Sequence, residues 1–191
     1  MTRIAIFASG SGSNAENIAT YFSTNKNVEV VLILTNNPTA FVLERAKKLG
    51  IKSLTFNKHD FLKTGEILNF LRKNDINLIV LAGFLLKIPK NLLNAFPNKI
   101  INIHPALLPK YGGRVMFGNQ VHQSVIEAKE KESGITIHYV NENYDEGKII
   151  FQARCSINPT DTANDLAYKI HALEYAHFPK VIEQLITSSN N

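Results

Sequence analysis

The chain has 191 residues, 45% hydrophobic and 19% charged, with a formal net charge of +5. That balance fits a folded globular protein and excludes a disordered one. The single cysteine, Cys155, excludes an internal disulfide, and no apolar run approaches the about 20 residues that span a membrane.

Ile4–Ala8 reads as a short buried strand. Ser9-Gly10-Ser11-Gly12-Ser13-Asn14 follows at once, then a helix from Ala15 to about Phe22. Strand, glycine loop and helix start together make an anion site, because backbone N–H groups converge there and the helix dipole favours negative charge. The loop lacks the Gly-Lys-Ser/Thr ending of a triphosphate loop. The second strand, Val28–Leu34, ends in Thr35-Asn36-Asn37 without the acidic residue that a dinucleotide ribose needs. A single phosphate monoester fits better, and a plain tight turn of small residues is the alternative.

Phe41–Leu49 is expected to be a helix ended by Gly50, and Ser53–Phe56 a third strand. Phe61–Lys73 carries apolar residues near helical spacing. Asn77–Ala82 reads as a fully buried strand, and many apolar residues line its exit, Gly83–Ile88. They fit either a pocket wall for a flat ring or ordinary core.

A short helix near Asn91–Phe96 leads to the strand Ile100-Ile101-Asn102-Ile103-His104. Strand side chains alternate with period 2, so Asn102 and His104 share a face. Pro105 cannot continue the ladder, and Pro109 with Gly112-Gly113 shapes the loop beyond it. An amide beside an imidazole suits oxyanion stabilisation and proton movement. A loop cap and a core histidine are the plain alternatives.

Val121–Ala128 reads as a helix, with His122 as a helix-face residue. Gly134–Val140 alternates as a half-buried strand and places Thr136 and His138 on one face. A short loop, Asn141–Gly147, joins it to a strand from Lys148 to about Ile157, so the two form an antiparallel edge hairpin. By its position Asp145 reads as a solvated turn aspartate. Asp161–Ile186 is helical in pattern, and Pro179 is expected to divide it into helices near 162–176 and 178–187. His171 and Glu174 then lie one turn apart on one face. The tail, 187–191, is expected to fray.

Alternating strands and helices imply one α/β domain, 1–191. Its expected core is an open, mostly parallel twisted sheet with helices on both faces and an antiparallel edge hairpin. The basic residues are scattered, with no aromatic-interleaved patch, so neither nucleic acid nor a membrane is an expected partner. Arg3 leads straight into the first strand, so no leader is read and a cytoplasmic location is expected. A mild positive field helps to collect small anions. Oligomeric state, monomer or homodimer, stays open.

Asn102-x-His104-Pro105-x-Leu107-Leu108-Pro109 resembles the signature of the folate-dependent formyltransferases. The similarity runs over nearly the whole chain, and it implies a Rossmann-like formyltransferase fold. The expected halves are phosphate-binding, about 1–100, and catalytic and folate-binding, about 100–187. Gly10–Asn14 resembles the family's phosphate loop, which implies that Gly12, Ser13 and Asn14 bind the substrate. Glu174 with Pro179 resembles the substrate block, and His171 is placed with it. Those two blocks point to the branch that acts on a glycinamide ribonucleotide.

Leu85, Leu86, Lys87 and Ile88 resemble the wall of the folate pocket, to which the resemblance adds Asn102 and the loop residues Asn141, Glu142, Asn143 and Tyr144. Lys58 is the nearest counterpart of an arginine that the family uses to meet folate. Asn102, His104 and Asp145 match the catalytic residues, with Asp145 expected to raise the His104 pKa and keep the ring protonated. The implied reaction moves a formyl group from 10-formyltetrahydrofolate, as co-substrate, to an amine, a step of purine biosynthesis that needs no metal. A tRNA-directed relative would carry a further C-terminal domain, and a formyltetrahydrofolate hydrolase an N-terminal extension. A non-catalytic phosphate-binding module would need the glycine loop but not the three catalytic matches.

Overall fold

A computed structural model describes residues 1–188. The chain forms an α/β fold with seven strands in the order β3-β2-β1-β4-β5-β6-β7. It divides into two compact units, the first Met1–Ile101 and the second beginning at Asn102.

In the first unit, β1 (Thr2–Phe7), β2 (Val28–Thr35), β3 (Lys52–Thr55) and β4 (Leu78–Leu81) pair in parallel. Both faces of β1 and β4 are covered, so their sequences run apolar without alternation. Helices α1 (Ser13–Phe22) and α2 (Val42–Leu49) pack on β2. Gly50 ends α2 at φ 68, where its left-handed conformation costs little. Helix α4 (Lys90–Ala95) precedes β5 (Ile100–His104), whose start lies beside β4 through Ile79 N–H donating to Lys99 O at 2.8 Å.

The expected helix over Phe61–Lys73 is broken. A single π-helical turn, Asp60–Thr64, gives way at Gly65 (φ 74) to α3 (Glu66–Lys73). The apolar spacing continues through the break because both pieces bury residues, Phe61 on one side and Ile67 and Leu71 on the other. Phe61 packs 5.0 Å from the Phe56 ring and 5.5 Å from that of Phe84.

In the second unit, α5 (Asn119–Glu127) leads to β6 (Glu132–Tyr139) and β7 (Ile149–Ser156), an antiparallel pair at the sheet edge. A side chain on Gly147 would run into the Tyr139 carbonyl, so glycine is required where the hairpin loop passes the end of β6 and enters β7.

Helix α6 runs unbroken from Ala163 to Ser188 with Pro179 inside it, contrary to the expected division. A proline there costs ~3 kcal/mol. Leu166, Ile170, Phe178, Val181, Ile182 and Ile186 are all buried, and this continuous apolar face offsets that cost. At its start Thr162 and Asp165 cap reciprocally: Thr162 N–H donates to Asp165 Oδ2 at 2.8 Å, and Asp165 N–H to Thr162 Oγ1 at 3.2 Å. Of the tail expected to fray, Thr187 and Ser188 belong to α6, and 189–191 lie outside the described residues. Among the described residues no helix is long and apolar enough to cross a membrane.

Candidate active site

The carboxyl end of β5 delivers Asn102 and His104 to one polar cluster in the second unit. His104 is buried, with Nδ1 3.5 Å from Asp145 Oδ2. Its Nε2–H donates to Tyr111 O at 2.7 Å. Asn102 Nδ2 donates to His138 Nε2 at 3.1 Å and points to Asp145 Oδ1 at 3.5 Å. His138 Nδ1–H donates to Tyr139 O at 2.9 Å, which leaves Nε2 as the acceptor for Asn102. Gly113 N–H donates to Asp145 Oδ2 at 2.9 Å and holds the carboxylate in place.

Two residues beside the imidazole sit in the left-handed region, Tyr111 at φ 56 and Asp145 at φ 57. That conformation is costly for a tyrosine and milder for an aspartate. Tyr111 is anchored by its hydroxyl, which donates to Glu130 Oε1 at 3.0 Å. The strained turn aims its carbonyl at His104.

Burial is the largest influence on His104 and pulls its pKa below the ordinary value. Asp145 and the Tyr111 carbonyl push upward but do not overcome it, and His138 adds to the fall. The expectation of a resting imidazolium is therefore corrected. His104 is neutral at pH 7, because desolvation penalises its charged form more than one carboxylate favours it. Burial pushes the Asp145 carboxyl up, but His138, His104 and the Gly113 N–H together bring it below its usual range. Asp145 is thus an anion at neutral pH.

His138 is the member that residue reading missed as a site residue. The available signal was its spacing: Thr136 and His138 alternate on β6 as Asn102 and His104 do on β5. Thr136 Oγ1 donates to Ala106 O at 2.7 Å and accepts Leu108 N–H at 3.0 Å, fastening the segment after β5. His122 lies on a face of α5, as expected, and that face is buried, with Nδ1 unpartnered among the described residues. Burial, then His171 and His104, lower its pKa to about 4.

The remaining predicted residues are distributed as follows. Gly12, Ser13 and Asn14 lie at the start of α1 in the first unit, where the first intrahelical bond is Glu16 N–H to Gly12 O. Gly12 has φ 71, and a Cβ there would come within 2.9 Å of Val42 Cα. Gly12→Ala is therefore expected to cost about 2 kcal/mol of stability, read by chemical denaturation. An unchanged midpoint would refute that reading of the turn.

Lys58 is exposed, Leu85 and Lys87 are exposed, Leu86 is half-buried and Ile88 is buried. Asn141, Glu142 and Asn143 are exposed in the hairpin loop and Tyr144 is half-buried. His171 and Glu174 both lie on α6 but differ in environment: His171 is exposed against Tyr175, whereas Glu174 is buried.

The family model described as formyl transferase matches residues 2–182. The chain belongs to the formyl transferase family. It is 39% identical to phosphoribosylglycinamide formyltransferase of Bacillus subtilis over 100% of this chain and 97% of that one. It is also 39% identical to the chloroplastic phosphoribosylglycinamide formyltransferase of Arabidopsis thaliana, over 94% of this chain and 64% of the relative. The crystal structure of phosphoribosylglycinamide formyltransferase from Bacillus halodurans matches with a TM-score of 0.88 at 36% identity, covering 98% of this chain and 97% of that one.

Proposed function

We propose that the protein transfers the formyl group of 10-formyltetrahydrofolate to the amine of N1-(5-phospho-D-ribosyl)glycinamide. The products are the formylated ribonucleotide and tetrahydrofolate, a cytoplasmic step of purine biosynthesis. The observation that carries this reading is a buried imidazole 3.5 Å from a carboxylate, beside an amide donor, in a chain 39% identical to a phosphoribosylglycinamide formyltransferase.

The neutral amine attacks the formyl carbon and forms a C–N bond, and the carbonyl electron pair moves to oxygen. Asn102 Nδ2 has two hydrogens. One is held by His138, and the other, only loosely held by Asp145, is available to the oxyanion. The attacking nitrogen must lose a proton, and folate N10 must gain one as its bond to carbon breaks. We assign His104 Nδ1 as the carrier, by way of water. The neutral ring takes the proton, Asp145 stabilises the resulting imidazolium, and the burial that disfavours charge helps to return the proton to N10.

In the same proposal the loop Gly12-Ser13-Asn14 holds the substrate phosphate, and Glu174 and His171 also bind the ribonucleotide. Lys58, Leu85–Ile88 and Asn141–Tyr144 meet the folate.

The deciding experiment incubates the protein with 10-formyltetrahydrofolate, with and without the ribonucleotide amine, and follows folate release. Release is expected only with the amine. Release without it, with formate as product, would make the protein a hydrolase.

A further inference from the structure

The carbonyls of the glycine loop are tied down on one side by α2. Val42 N–H donates to Gly10 O at 3.2 Å, and Arg45 Nε–H donates to Ser11 O at 2.9 Å. In a trans peptide the C=O of one residue and the N–H of the next point to opposite sides. These two bonds therefore turn the N–H groups of Ser11 and Gly12 away from α2. Gly12 at φ 71 and ψ 23 continues the turn into α1, and successive N–H groups so arranged form a concave anion-binding nest.

Arg45 is itself held firmly. Its Nη1 pairs with Glu16 of α1, both side chains are largely covered, and its guanidinium lies 5.1 Å from the centroid of the Phe41 ring. Because Glu16 neutralises its charge, Arg45 acts on the loop chiefly by orientation. Its planar fork serves both Ser11 O and Glu16, which a lysine ammonium at the same place cannot span.

We propose that Arg45 is a positioning residue for phosphate. By holding the Ser11 carbonyl it orients the Gly12 N–H toward the anion and so sets affinity for the phosphorylated substrate without taking part in formyl transfer. This rests on the reading that the glycine loop holds the substrate phosphate.

The test compares Arg45→Met and Arg45→Lys with the unaltered enzyme, using inorganic phosphate as an inhibitor competitive with the ribonucleotide. Losing one oriented donor to an anion predicts a rise of about tenfold or more in ribonucleotide KM for Arg45→Met. The inhibition constant of inorganic phosphate should rise by the same factor, while KM for the formyl donor holds. kcat should stay within about threefold, as expected when uniform binding alone is lost. Arg45→Lys should fall between. Unchanged phosphate inhibition with a lowered Tm would overturn the proposal and leave Arg45 a structural brace. A fall in kcat with unchanged KM would overturn it as well. Should Arg45→Met not fold, the same comparison on Arg45→Lys decides. Absence of phosphate inhibition in the unaltered enzyme would instead sink the reading of the loop on which this rests.

Discussion

Asp145→Asn is expected to lower kcat by at least ~100-fold while changing substrate KM little. Asparagine tolerates the φ of 57 at this position, and its Oδ1 can still accept the Gly113 N–H. The substitution therefore removes charge and leaves the loop in place. The anion supplies the largest upward push on a His104 pKa that burial already depresses. Without it the transient imidazolium loses its partner, and the acid limb of the kcat profile should move to lower pH. His104→Ala should lose comparable activity. The double variant should be little worse than the poorer single, since the pair acts as a unit. Near-normal kcat in Asp145→Asn, or an acid limb moved to higher pH, would remove the carboxylate from the mechanism.

His122 by itself should lower stability by about 2 kcal/mol between pH 7.5 and pH 5. Its folded pKa is lowered to about 4 by burial and by the neighbouring His171 and His104. An unfolded histidine titrates near pH ~6.5. The unfolded chain therefore binds the proton first, and the stabilisation is complete above that value. It is lost as pH falls toward about 4, the folded pKa of His122. The lowered His104 contributes with the same sign, whereas Asp145 titrates below this window. Replacing the buried ring by one that cannot be protonated, His122→Phe, should flatten most of this limb in denaturation measured across the range. His122→Asn should do the same where the phenyl ring packs poorly. An acid limb as steep as that of the unaltered protein would refute the assignment.

Apolar runs and turn residues marked the strand and helix positions closely, from the first strand to the edge hairpin. Period-2 alternation alone put Asn102 and His104 on one face. Local chemistry was also enough for the end of α2, because Gly50 does there what any helix-terminating glycine does. One local rule was overruled by packing, and one apolar periodicity by a local break. Pro179 does not divide α6, whose buried face continues on both sides of it. Gly65 does break the segment after Asn57, although the apolar spacing runs through it.

The cluster itself depended on contacts between residues far apart in the chain. Residue by residue, Asp145 reads as a solvated turn, and only the family resemblance pointed to it. Its carboxylate reaches His104 and Asn102 because the hairpin loop folds back on the end of β5. His138 joins because β6 lies beside β5: alternation gives it a face, but only the strand order brings that face to Asn102. The charge of His104 could not be read from residue types at all. It depends on whether burial or a neighbouring anion dominates, and burial is a property of the packed molecule.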